Sequence, residues 1–138
     1  MKLCNETVTV YNARVDPARR MEVYAPTVLE GVSWHSETVS AVVDSGLKAA
    51  NRFTLRIPEA VKAGGRTYVE PAEYRTAPDV SGLWTLQKGD VIVKAACTDV
   101  LDPARLRERF GADRVLTVVG VTDDRRAPRG KHWKVTGA

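Results

Sequence analysis

Apolar residues stand at every second position in stretch after stretch of this chain, with polar residues between them. In "TVTVY" (7–11), Val8 and Val10 share a face; "MEVY" (21–24) alternates in the same way. "VLEGVSW" (28–34) sets Val28, Val32 and Trp34 to one side, "TVSAVV" (38–43) follows, and Phe53, Leu55 and Ile57 alternate in "FTLRI" (53–57). A period of two is what a half-buried strand imposes, because successive side chains point to opposite faces.

The punctuation agrees. Asp44-Ser45-Gly46 is turn chemistry between "TVSAVV" and "FTLRI" and predicts a hairpin with a longer loop. A polar turn, Gln87-Lys88-Gly89-Asp90, precedes a strand near 91–96. "VLTVVGV" (115–121) is apolar on both faces, which predicts a central strand or one covered by a neighbouring subunit. "HWKVT" (132–136) places Trp133 and Val135 inward. One helix is signalled, over 103–110. Asp102 is a natural N-cap, Pro103 suits the first helical position, Gly111 offers a left-handed stop, and Leu106 and Phe110 form the apolar stripe. Two turns do not persist alone in water, so this helix must dock on the sheet.

After Pro58 no periodic pattern returns until about Trp84. Connections beyond roughly 12–15 residues are uncommon in compact domains, and are functional or disordered when they occur. The expected fold is mainly β: a small antiparallel β-barrel or sandwich forming one domain over 1–138, with one short α-helix and a long loop at 58–83.

Chemistry-bearing patterns are scarce. A hydrophobic fraction of 43% and a charged fraction of 28% fit a single soluble domain, and "MKLCNETVTV" lacks a signal-peptide core. No apolar run reaches membrane-spanning length. Cys4 and Cys97, far apart, read as ordinary thiols in a reducing compartment. The two histidines, His35 and His132, lie at strand ends with no zinc spacing around them. Gly64-Gly65 lacks the Lys-Ser/Thr of a phosphate loop, and Asp123 and Asp124, adjacent on a strand, diverge. The expectation is a protein that is not an enzyme and takes no metal or other cofactor.

Charge is asymmetric. Residues 103–138 hold nine Lys/Arg against four Asp/Glu, whereas residues 1–102 hold twelve against thirteen. Arg125, Arg126, Arg129 and Lys131 concentrate the excess in one segment and are candidates for contact with DNA or an acidic protein surface. A nucleic-acid-binding barrel is therefore one alternative, although no outward aromatic stripe accompanies the cluster.

The order of pieces carries a resemblance. "TVTVYN", "GVSW", "DSGL", "FTLRIP", "YVEPAEY", "GLWTLQKGDVIVKA", "LTVVGVTDDRR" and "HWKVTG" follow one another along nearly the whole chain. The series resembles small minor capsid and head–tail connector (head-closure) proteins of tailed bacteriophages and prophages, with tail-terminator proteins as an alternative. The resemblance implies a small β-barrel that assembles as a homo-oligomeric ring between portal or connector and tail proteins. It also implies location in the virion, with host cytoplasm as the site of assembly, and non-specific contact with phage DNA through the basic segment. Within 58–83, Arg66, Tyr68, Val69, Tyr74 and Val80 suit a loop that orders against a partner; the same residues suit a lid folded over the barrel's open end.

Overall fold

The chain runs β1 (Glu6–Asp16), β2 (Met21–Val43), β3 (Gly46–Pro58), β4 (Thr67–Tyr68), α1 (Pro71–Thr76), β5 (Leu83–Trp84), β6 (Val91–Val93), α2 (Pro103–Phe110), β7 (Val115–Asp123) and β8 (His132–Gly137). The computed structural model describes residues 5–16, 18, 20–43 and 46–138, with side chains throughout these except at 39–43 and 46–51. Six antiparallel strands close a barrel in the order β1-β2-β3-β8-β7-β6, and β4 and β5 form a small parallel pair beside it.

The three alternating stretches expected over 21–43 are one strand of 23 residues. Pro26, between the first two of those stretches, causes no break. It lies opposite Tyr11, and no described strand pairs with β2 on its other side until Ser33, so its missing N–H is not needed there. Gly31 is the extra residue where the β1–β2 register shifts, and its φ of 91° is one that residues with a Cβ avoid. This bulge marks the corner where β2 leaves β1 for β3. Asp44 and Ser45, the expected turn, lie outside the described residues, as does Cys4; the strands they join are paired from Val43↔Gly46 onward.

The barrel interior holds Val8, Val10, Leu29, Val32, Trp34, Phe53, Leu55, Ile57, Ile92, Leu116, Val118, Trp133 and Val135. A second cluster explains why "VIV" and the start of β7 are apolar on both faces. Tyr11, Val91, Val93, Cys97 and Val115 pack outside the barrel beneath Leu106 of α2. That helix forms as its sequence predicts, with the Arg105 N–H donating to Asp102 Oδ1 at 2.9 Å. Gly111 ends it at φ 87°, ψ 153°, a positive-φ extended state rather than a left-handed turn.

Segment 58–83 is the main departure from the expected single helix and long loop. It contains a second helix, α1, with Pro71 at its start and Tyr74 fully buried beneath it. Six residues have no helical stability of their own, so α1 depends on that buried ring. The Glu30↔Lys62 bridge, buried Ala63 and the β4–β5 pair carry the rest of the segment back across the barrel.

Candidate functional site

Tyr68 settles at the barrel mouth where β3 ends and β8 begins. Its ring lies 4.5 Å from Trp133 and 5.1 Å from Trp84, and the two tryptophans are 5.4 Å apart. Arg125 closes the stack from outside, its guanidinium carbon 4.7 Å from the Trp133 centroid and 5.1 Å from that of Tyr68. The same guanidinium pairs with Asp123 at 2.7 Å and Glu70 at 3.3 Å, so it joins β7 to the lid. Its hydrogen bonds hold the Asp123 carboxyl below the usual carboxylate range.

Beneath the lid lies a buried polar network. Asp90 Oδ2 accepts from Asn12 Nδ2 at 2.8 Å and Gln87 Nε2 at 3.0 Å, and Oδ1 accepts from the Ala13 N–H at 3.1 Å. Asn12 also donates to the Thr85 carbonyl at 2.7 Å, and Gln87 to that of Ala13 at 3.1 Å. Burial outweighs the three donors and raises the Asp90 carboxyl above its ordinary range. With all contacts directed at the chain itself, this arrangement fastens the 85–90 turn to β1.

The residues singled out for a partner loop divide. Tyr74 is fully buried, and its hydroxyl has no hydrogen-bond partner. Tyr68 is half-buried and turned inward; Val69 is half-buried, its N–H donating to the Trp84 carbonyl at 3.0 Å. Arg66 donates to Thr27 Oγ1 at 3.2 Å, and half-buried Val80 lines a shallow cleft with Arg14 and Val23. In the free chain the excursion thus spends its aromatic area on its own barrel. Of the basic residues, Arg125 is engaged in the stack, while Arg126, Arg129 and Lys131 are exposed on one loop.

His35 is exposed. His132 Nε2 lies 3.4 Å from Asp124 Oδ2, and no group of three or more His, Cys, Asp or Glu among the described residues could hold a metal ion. No described helix is long and apolar enough to cross a membrane.

Two features escaped the sequence. At the end of the barrel opposite the lid, Glu37–Val43 and Gly46–Arg52 pair with each other and with no other described strand, forming a projecting ribbon of seven residue pairs. At the lid end, Val119 is 54% exposed and Val121 37% exposed. Both lie past the cover that α2 gives Val115; the doubly apolar pattern was legible, but not where the cover stops.

Residues 3–138 match one family model, described as a family of unknown function (DUF6751). The chain belongs to this family. No curated protein and no solved structure matches it. Membership spans the barrel, lid and ribbon together.

Proposed function

We propose that this protein is a structural component of a tailed-bacteriophage or prophage virion, of head-closure type, working at the head–tail junction by ring assembly. One observation carries the reading: beyond Thr38 the β2–β3 ribbon runs on for five residue pairs, about 17 Å, with no third described strand paired to either edge. A two-stranded hairpin is marginal alone in water, and an unpaired strand edge is a template for another chain. Residue pairs held out this way make sense when copies or neighbours cover them. The order of sequence pieces supports the head–tail location, with portal or connector and tail proteins as the adjoining subunits and a homo-oligomeric ring as the working form. A tail-terminator role uses the same surfaces.

A second reading rests on Arg126, Arg129 and Lys131, exposed together on the β7–β8 loop. They suit contact with DNA phosphates, as an accessory to the structural role.

The location is tested on tailed particles made by a phage or lysogen carrying the gene. Quantitative mass spectrometry and gold labelling should find the protein in several copies at the neck. Particles that lack it, with heads and tails joined normally, would contradict the proposal.

A further inference from the structure

Strand β6 has only three residues, whereas its barrel neighbours β1 and β7 have eleven and nine. The ladder starts normally, with Tyr11↔Val91 on one side and Val91↔Thr117 on the other. Preceding Val91, the chain holds on for one further step. The Gly89 N–H donates to the Val118 carbonyl at 2.8 Å, the Val118 N–H donates to the Asp90 carbonyl at 2.8 Å, and Asp90 and Gln87 side chains take the main chain of Ala13. At Lys88-Gly89 the chain turns away. Past that turn β1 keeps its pairing with β2 and β7 its pairing with β8, and no described strand continues β6 between them.

The β7 edge of this slot is main chain, whereas on β1 the N–H and carbonyl of Ala13 are already taken by Asp90 and Gln87, so that Val15 is the first β1 main chain beyond them. Antiparallel ladders point alternate residues to opposite sides. The residues of β1 that face β6 are Thr9 and Tyr11, then Ala13, which makes Val15 the next. On β7 the Asp124 N–H donates to His132 on the β8 side, which turns the main chain of Val121 and Asp123 toward the slot. No described strand pairs with either edge there. The space is a cleft of about 560 Å³ floored by the Gln87–Asp90 turn, with Val119 and Val121 on one wall and Ala13 on the other. Its charges are Arg75 of α1, whose Nη1 lies 3.5 Å from Gln87 Oε1, Lys88 on the floor and Glu22 of β2; the oxygens of Asp90 are turned onto Asn12, Ala13 and Gln87.

We propose that this slot receives an extended segment of a partner polypeptide as an added strand, pairing antiparallel with the free edge of β7 and reaching β1 only at Val15, in the line that β6 leaves unfinished. The segment places apolar side chains over Val119 and Val121 and an acidic side chain toward Arg75 and Lys88. Strand addition takes affinity from main-chain hydrogen bonds and specificity from alternate side chains, and the slot offers both. The inference follows from the barrel's own ladder and is independent of the head–tail reading.

The test uses the full chain, isotope-labelled, and a short blocked peptide alternating valine with threonine and glutamate. Amide shifts on titration should be confined to 13–15, 86–90 and 119–123. Methylating alternate peptide nitrogens, which deletes strand donors and leaves side chains intact, should weaken binding at least about tenfold. Lys88→Glu combined with Arg75→Glu, both exposed positions, should weaken the glutamate peptide to a similar degree and favour a lysine counterpart. Shifts elsewhere, an absence of shifts at millimolar peptide, or undiminished binding by the methylated peptide would each overturn the proposal.

Discussion

The guanidinium of Arg125 stands 4.7 Å from the ring centroid of Trp133, on the outer side of a stack whose inner members are Tyr68 and Trp84. A residue from the basic C-terminal segment therefore fastens an excursion that begins with Pro58 and crosses the barrel mouth. The cation serves two rings and two carboxylates at once.

Arg125→Ala should lower unfolding free energy by about 1–2 kcal/mol in urea titrations, since partly exposed cation–π contacts and ion pairs are each modest. Hydrogen exchange should show the loss concentrated at 66–76 while the β1–β2 ladder keeps its protection. Arg125→Lys should recover only part, because an ammonium cannot span both rings and both carboxylates as a planar fork does. Uniform loss of protection across the barrel would show that the clamp is not local to the lid.

Asp90→Asn should cost about 1–3 kcal/mol, because one carboxylate oxygen becomes an NH2 facing existing donors. The pH dependence has a definite sign. Burial raises the folded carboxyl above its unfolded value, so this group's favourable contribution is full below the unfolded pKa, near 4. It is lost as pH rises through the folded pKa. The stability gap between wild type and Asp90→Asn should accordingly widen on acidification through that window. A gap that narrows there would refute the assignment.

The buried Tyr74 hydroxyl has no hydrogen-bond partner, so Tyr74→Phe should be neutral or stabilising by up to about 1 kcal/mol. Tyr74→Ala, which empties the site beneath α1, should cost about 3–5 kcal/mol. Thermal unfolding of the two variants separates ring from hydroxyl. A large loss in the phenylalanine variant would mean the hydroxyl is bonded in solution.

If the exposed loop cations meet DNA, replacing Arg126, Arg129 and Lys131 by alanine should lower duplex affinity and flatten its dependence on salt, each phosphate contact contributing close to one unit of slope. An unchanged slope would remove that reading.

What the sequence discloses here is what is local. Asp102, Pro103 and Leu106 specify α2 within four residues of one another, and the alternation in β1, β3 and β8 names the inward faces directly. What it conceals depends on distance. Asp90 reads as one residue of a polar turn until Asn12, 78 positions away, is brought against it. Arg125 reads as a free charge until Tyr68 and Trp133 close over it. Segment 58–83 offers a lone tyrosine where a helix would normally show a stripe, so α1 is visible only once Tyr74 is seen buried.

We propose that the β2–β3 ribbon joins this chain to other virion subunits. Heads and tails from a strain lacking the gene should be mixed with purified wild-type protein, or with a variant in which a short turn replaces residues 37–52. Wild type should restore joined particles, whereas the shortened chain, with its lid and α2 protected from hydrogen exchange as in wild type, should not. Joining at wild-type yield by that correctly folded shortened chain would contradict the proposal.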